Sequence, residues 1–142
     1  MDSIREAVFR NLLERDRAGL GTLAGAFCLG LSAVDYKKPE AAPDRADPPE
    51  WMVRRVATSR APARRASTCL FQPNAATTRS VPGRALLYNV GNIALGDDGG
   101  RAEVAAAYIY DGYSAGGYTF SVERTDTAWV VKQWRLEWTG KP

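Results

Sequence analysis

The chain has 142 residues, of which 45% are hydrophobic and 25% charged, and its formal net charge is +3. These values are typical of a single globular domain, which we expect to span residues 1–142. The sequence contains no histidine and only two cysteines, so histidine-dependent triads, histidine-ligated metals and a four-cysteine zinc site are excluded. We expect neither a metal nor a cofactor.

An amphipathic helix is predicted over residues 4–17, where apolar side chains recur at helical spacing. Ser3 followed by Glu6 has the pattern of a capping box at the start of this helix. The apolar run over residues 24–33 indicates a short buried strand, although a helical turn fits the same run. No apolar run approaches the roughly 20 residues of a membrane-spanning helix, so we expect no membrane span.

A second helix is predicted from about residue 48 to residue 58. Asp47 would cap it, and Pro48 would occupy its first position, where a missing N–H is harmless. Residues 59–83 contain several prolines and predict irregular structure, with one short extended piece near Ser67–Phe71.

Four strands are predicted in the C-terminal part of the chain, with turn-forming residues between them. Because short turns make successive strands antiparallel neighbours, we expect an α+β domain in which N-terminal helices pack on a curved, four-stranded antiparallel meander. Period-two alternation places Trp134 and Trp138 on one face of the last strand. The strand segments are residues 84–95, 101–113, 117–124 and 128–138.

A group of tyrosines flanks the turn between the second and third of these strands. Tyr108, Tyr110 and Tyr118 alternate in step with apolar neighbours, so we expect them on the helix-covered face. Tyrosine combines apolar bulk with one hydroxyl, which suits a small-molecule pocket, although aromatic filling of the core explains the same pattern. The candidate ligand-binding residues are Tyr108, Tyr110, Asp111, Tyr113 and Tyr118.

Three classes of function are compatible with these features. The first is a non-enzymatic module that binds a small apolar ligand in an aromatic-lined pocket between helix and sheet. The second is an interaction domain that forms a homodimer through its sheet. The third is a histidine-free enzyme that uses a sheet carboxylate such as Asp111. We assign no catalytic residue, and the composition favours binding over catalysis.

Positive charge is concentrated in the middle of the chain. Residues 51–96 contain seven arginines and no acidic residue, and this local charge of +7 leaves 3 − 7 = −4 for the rest. A solvated surface explains such a segment as well as an anion site does. Adjacent residues point about 100° apart on a helix. We therefore expect no nucleic-acid partner. We also expect a set of exposed arginines that do not converge on one site: Arg54, Arg55, Arg60, Arg64 and Arg65.

Several segments carry a resemblance to known proteins: IREAVFR, FCLGL, DPPEWMVRR, GRALLYNVGNI and the run from AAAYIYDGY to KQWRLEW. Through them the chain resembles a family of small, mostly exported bacterial proteins for which no reaction is known. Its order of elements also resembles the nuclear-transport-factor-like group of cone-shaped α+β folds, which implies a pocket between helices and sheet. An origin in a mobile gene cassette would fit this resemblance.

The first ten residues lack the basic and apolar regions of a signal peptide, which departs from the exported family. We therefore expect a cytoplasmic protein, with export followed by removal of a leader as the alternative. The compartment bears on Cys28 and Cys69, which lie 41 positions apart. The resemblance implies a disulfide between them if the protein is exported, and two buried thiols if it is cytoplasmic.

Overall fold

Two helices and eight strands lie in the residues that the structure, a computed structural model, describes: 1–31, 46–58, 61–72, 75–78, 85–111 and 114–140. The helices are α1 (Asp2–Glu14) and α2 (Glu50–Val56), and a short 3-10 helix covers Ala66–Thr68. The strands are β1 (Ala26–Leu31), β2 (Ala63–Arg65), β3 (Cys69–Gln72), β4 (Ala75–Thr78), β5 (Ala85–Leu95), β6 (Arg101–Asp111), β7 (Ser114–Arg124) and β8 (Trp129–Gly140).

All eight strands belong to one mixed sheet. β1 pairs in parallel with β2 on one side and with β5 on the other, so that Phe27 lies opposite both Ala63 and Leu86. From β5 the sheet continues through β6, β7 and β8, each antiparallel to the strand before it. β3 and β4 form a hairpin that joins β6 through the pair Ala75 and Asp111.

The prediction of a four-stranded antiparallel sheet is wrong, because parallel pairing brings β1 and β2 into the sheet and a further hairpin adds β3 and β4. The domain is α+β with a mixed sheet. β1 lies between two strands because it is apolar on both faces. Its Phe27 and Leu29 enter the helix-side core, whereas Ala26 and Cys28 are buried on the opposite face.

The main core lies between the helices and one face of the sheet, here called the helix side. Phe9 and Leu12 of α1 and Met52 of α2 are fully buried there, in one cluster with Tyr118 and Phe120 of β7. Burying a side chain of this size stabilises the fold by about 1.5–3 kcal/mol. The helices are therefore held mainly by their apolar faces, and their polar faces are left to form the surface.

Neither helix begins at the residue predicted for it. α1 begins at Asp2, so Ser3 lies inside the first turn and no side chain caps the helix. The N–H groups of Ile4 and Arg5 both bond to the carbonyl of Met1 at 3.1 Å. The capping-box prediction is therefore wrong, because the helix starts before the residue that was to cap it.

Asp47 does not cap α2, which begins at Glu50 with Pro49 at its N-cap position. The Asp47 carboxylate instead accepts a hydrogen bond from the backbone N–H of Ser67 at 2.8 Å. This contact joins the segment before α2 to the 3-10 helix that follows β2, and it helps to hold α2 beside β2.

Two bulges change the side-chain faces of β8. Lys132 and Glu137 have no register partner on β7, because the pairing shifts by one residue at each of them. Trp134 lies on the helix side, with its ring 5.9 Å from that of Tyr118. Trp138 lies on the opposite face, over Gly117, where a Cβ would collide with the indole. The two tryptophans were predicted to share a face, which is wrong because a bulge reverses the alternation.

Candidate functional site

Three of the five candidate binding residues lie together on the helix side of the sheet. Tyr108 and Tyr110 of β6 and Tyr118 of β7 are all buried. The rings of Tyr108 and Tyr118 lie 5.9 Å apart. Tyr88 of β5 lies opposite Tyr108 and belongs to the same tyrosine cluster. Sequence reasoning missed Tyr88, although it alternates in step with buried Leu86.

Residues 15–24, between α1 and β1, supply backbone partners for two hydroxyls of the tyrosine cluster. The N–H of Ala18 donates to the hydroxyl of Tyr88 at 3.3 Å, and the hydroxyl of Tyr110 donates to the carbonyl of Leu23 at 3.2 Å. These tyrosines pack the core and attach this segment to the sheet. Contact between the cluster and a ligand stays a prediction.

The other two candidates contribute no described side chain. Asp111 ends β6, and its backbone pairs with Ser114 of β7 and Ala75 of β4. Tyr113 lies outside the described residues. A ligand-binding or catalytic role for either residue therefore stays a prediction.

Burial changes the acidity of three tyrosines of the cluster. Desolvation raises the pKa of Tyr88 and Tyr118 far above the usual tyrosine value, and it raises the pKa of Tyr108 as well. Their hydroxyls stay protonated at neutral pH. They can donate or accept hydrogen bonds there, but they cannot act as general bases.

We expect the free energy of unfolding to fall as the pH rises above about 10. The unfolded chain releases tyrosine protons near the ordinary pKa of 10.0, whereas the folded protein retains those of Tyr88 and Tyr118. The unfolded state then binds fewer protons, so each retained proton lowers stability by about 1.4 kcal/mol per pH unit. Urea unfolding between about pH 8 and pH 11 measures this slope. Tyr118→Phe should reduce the slope by the share of one proton, about 1.4 kcal/mol per pH unit; a profile equal to that of the wild type would contradict the assignment.

Cys28 of β1 and Cys69 at the start of β3 form a disulfide, with their Cα atoms 6.6 Å apart. It is buried on the face opposite the helices, in a cluster with Ala66, Ala85 and Leu87. The bond attaches the start of the β3–β4 hairpin to β1. In the parts of the chain with described structure, no group of three or more metal-ligating Cys, Asp or Glu residues occurs.

An open cleft of about 630 Å³ lies between α1, α2 and the start of β8. Glu6 and Arg10 lie one turn apart on α1, and Trp51 and Arg55 lie one turn apart on α2. Residues at this spacing share a helix face, so each helix directs two of them into the gap. We call this the helix–hairpin cleft, and its walls include Glu6, Arg10, Trp51, Arg55, Trp129 and Val130.

Glu6 is the central charge of the helix–hairpin cleft. Its largely buried carboxylate lies 2.9 Å from Nε of Arg55 and 3.8 Å from a terminal nitrogen of Arg10. Oε1 of Glu6 makes no hydrogen bond of good geometry, so its contact with Arg55 is chiefly Coulombic. The guanidinium of Arg55 also lies 5.7 Å from the ring centroid of Trp51, within cation–π range. Arg55 therefore links the two helices at the wall of the cleft.

Two indoles give the helix–hairpin cleft its apolar surface. Trp51 is 40% exposed, and Trp129 is half-buried and packs against the main core. Partly exposed rings beside charged groups suit a ligand with a flat apolar body and a polar edge. Sequence reasoning missed this cleft because its walls come from three segments far apart in the chain. The available signal was the spacing of Trp51 and Arg55 on one helix.

The middle arginines are distributed over two clefts. Arg54 of α2 and Arg64 and Arg65 of β2 are among the residues that line an open cleft of about 250 Å³. Arg64 lies opposite Cys28 and Arg65 opposite Leu29, which are buried on opposite faces of the sheet. Arg54, Arg55 and Arg65 are exposed, as predicted, and that these arginines do not converge on one site stays a prediction. Arg55 lines the helix–hairpin cleft instead, and Arg60 lies outside the described residues.

A third cleft, of about 410 Å³, mixes charges of both signs where β6 and β7 lie beside β8. Its Arg101 and Glu123 lie 3.7 Å apart, with their side chains 75% and 42% exposed. Solvent screens such a pair, and Glu103 nearby is also exposed. These carboxylates have the surroundings of solvated surface groups. None of the three clefts has Tyr108, Tyr110 or Tyr118 in its walls.

No protein family, no curated protein and no solved structure matches this chain. The resemblance to exported bacterial proteins and to the nuclear-transport-factor-like group therefore stays a prediction. Of the helices in the described segments, none has the length and apolar character needed to cross a membrane.

Proposed function

We propose that the protein is a non-enzymatic binding module that takes a small organic ligand in the helix–hairpin cleft. The observation that carries this proposal is the cleft of about 630 Å³ in which two indoles adjoin the Arg55–Glu6 ion pair. Small-molecule sites commonly measure about 300–1,000 Å³. This cleft lies between the two helices and the start of β8, and its aromatic lining consists of tryptophans, whereas the sequence predicted tyrosines.

The chemistry of the cleft favours a flat ligand with an anionic or hydrogen-bonding edge. Indole faces stack on planar apolar groups, and arginine offers several N–H donors in one plane. Arg10 is 41% exposed, and its contact with Glu6 is long at 3.8 Å, so its guanidinium can turn to a ligand. Binding is favoured over catalysis because the chain has no histidine and Glu6 is held in an ion pair.

The test titrates the protein with anilinonaphthalene sulfonate, a flat aromatic probe that carries one anionic group. Trp51→Ala and Trp129→Ala should each weaken its binding about tenfold, since one stacked aromatic contact contributes about 1 kcal/mol or more. Trp134→Ala is the matched control, because its indole is 41% exposed but lies outside the cleft. The thermal unfolding of each variant is compared with that of the wild type. An unchanged transition shows that a change in probe binding comes from the folded protein and not from partial unfolding.

Two outcomes would contradict this assignment. Equal binding by the wild type and both cleft variants would remove the helix–hairpin cleft as the site. Loss of binding only in Tyr118→Phe would move the site to the tyrosine cluster.

A homodimer through the sheet is the second candidate. Trp134 and Leu136 are 41% and 50% exposed on β8, which pairs only with β7 among the described strands. An exposed apolar edge strand favours association. The bulges at Lys132 and Glu137 act against it, because they interrupt the regular edge that a second strand needs. The binding module is therefore the better supported proposal.

A further inference from the structure

Two buried tyrosine hydroxyls on the helix side have no hydrogen-bond partner among the described residues. Tyr108 of β6 and Tyr118 of β7 are 9% and 1% exposed, and their rings lie 5.9 Å apart. The hydroxyls of Tyr88 and Tyr110, in contrast, both bond to backbone groups of residues 15–24. A partner for the hydroxyls of Tyr108 and Tyr118 must therefore come from outside the described part of the chain.

Tyr108 and Tyr118 are hydrogen-bond donors at neutral pH. Burial raises the pKa of both phenols, so both keep their protons. A buried hydroxyl without an acceptor loses the hydrogen bond that it makes to water in the unfolded chain, which destabilises the fold. An oxygen atom of a bound ligand would supply the missing acceptor.

The guanidinium of Arg17 lies at the same end of the tyrosine cluster. It is 4.4 Å from the ring centroid of Trp134, and that ring is 5.9 Å from the ring of Tyr118. Nε of Arg17 donates to Oδ1 of Asn11 at 2.8 Å, which fixes the direction of the guanidinium. Burial raises the pKa of Tyr118, and the charge of Arg17 acts in the opposite direction, as expected of a cation close to the phenol. Arg17 thus adds charged N–H donors beside Tyr118.

The charged residues around these donors favour an anion. Asp16 is the acidic residue whose charge acts on Tyr118, and its carboxylate already accepts a hydrogen bond from the backbone N–H of Gly21 at 3.0 Å. Burial lowers the pKa of Arg17, and the charge of exposed Arg15 adds to this effect, so a second cation lies nearby. Two arginines against one aspartate leave a positive potential beside Tyr118.

Apolar side chains flank the same donors. Trp134 is 41% exposed, and Leu136, which lies opposite Tyr118 in the sheet, is 50% exposed. Exposed apolar groups beside a set of donors suit a ligand that has one anionic end and a short apolar tail.

We propose that Tyr108, Tyr118 and Arg17, here called the tyrosine–arginine site, bind the carboxylate of a small aliphatic acid. Phenol and guanidinium groups both donate short, charge-assisted hydrogen bonds to carboxylate oxygens. The carboxylate supplies the acceptors that the two hydroxyls lack, and the tail lies on Trp134 and Leu136. None of these residues lines the helix–hairpin cleft, so this site is separate from the site of the proposed function.

The experiment titrates the protein with sodium butyrate at constant ionic strength and follows the ring signals of Tyr108 and the indole N–H signal of Trp134 by NMR. Tyr118→Phe and Arg17→Gln should each weaken binding about tenfold or more, because each removes a charge-assisted hydrogen bond to the carboxylate. Arg15→Gln is the matched control, because Arg15 is an exposed arginine two residues from Arg17. It should change the affinity by less than about twofold, since solvent screens an exposed charge.

The neutral analogue butyramide separates recognition of the anion from contact with the tail. It should bind about tenfold or more weakly than butyrate, because its oxygen carries no charge. Butyrate should also raise the thermal unfolding temperature of the wild type but not that of Tyr118→Phe, since only a ligand that binds the folded protein stabilises it.

Three results would overturn the proposal. The first is equal binding of butyrate and butyramide, and the second is an equal loss of affinity in Arg15→Gln and Arg17→Gln. The third is a loss of butyrate binding in Trp51→Ala, which would place the anion in the helix–hairpin cleft. A failure of butyrate to bind, with binding of anilinonaphthalene sulfonate retained, would remove the tyrosine–arginine site and leave the proposed function standing.

Discussion

Replacement of both cysteines by alanine, Cys28→Ala with Cys69→Ala, is expected to lower the free energy of unfolding by about 4 kcal/mol. The disulfide joins residues 41 positions apart. Without it, the unfolded chain regains the conformational entropy of that loop, which accounts for a loss of this size. Guanidinium unfolding without reductant, at a pH near 7, measures the difference.

The wild type in excess reductant is the control for this experiment. It should approach the stability of the double variant, and the double variant itself should not respond to reductant. Equal stability of the wild type and the double variant without reductant would contradict the prediction. The result also bears on the compartment, because disulfides persist mainly in oxidising environments. The location of the protein itself stays a prediction.

Phe120→Ala is expected to lower the free energy of unfolding by about 3–5 kcal/mol. Phe120 is 0% exposed and sits at the centre of the main core, with its ring 5.8 Å from that of Tyr118. Truncation removes apolar contacts and leaves a cavity that rigid neighbouring strands can close only in part. Denaturant unfolding, with the slope of the transition compared between variants, measures the change.

The next residue along β7 provides the matched control. Ser121 lies opposite Gln133 of β8 on the other face of the sheet and is only half-buried. Ser121→Ala should change stability by less than about 0.5 kcal/mol. If Ser121→Ala lowered the free energy of unfolding as much as Phe120→Ala, the loss would come from any substitution in β7 and not from the helix-side core.

Local patterns were sufficient for the side-chain faces of β6 and β7. Tyr108, Tyr118 and Phe120 all lie on the helix side, as their alternation predicts. Sequence reasoning succeeds there because a short connection joins the two strands and their pairing is regular over most of its length. The same reasoning fails for Trp138, because a single bulge reverses the faces on which the side chains of β8 lie. The local sequence pattern does not predict that bulge.

The mixed sheet and the clefts depend on contacts between distant segments. The apolar run of β1 indicated a buried strand, but it did not identify β5 as the partner, since no turn connects the two. Trp51, Trp129 and Glu6 come together only after α1, α2 and β8 have packed. Arg54 and Arg65 line one cleft only because β2 pairs with β1. The chemistry of these residues could be read from the sequence, but their proximity could not.

The parallel pairing of β1 with β5 has a consequence for the order in which the protein folds. It brings Ala26 beside Ala85, 85 − 26 = 59 positions along the chain, whereas β5, β6, β7 and β8 are joined in turn by short connections. Closing the longer loop costs more entropy, and non-local contacts slow folding. We therefore expect the antiparallel hairpins to form first and to present the edge of β5 to β1. During synthesis, β2 becomes available to β1 before β5 does, but the second edge of β1 stays unpaired until β5 has been synthesised. We therefore expect the N-terminal third of the protein to complete its fold late in synthesis.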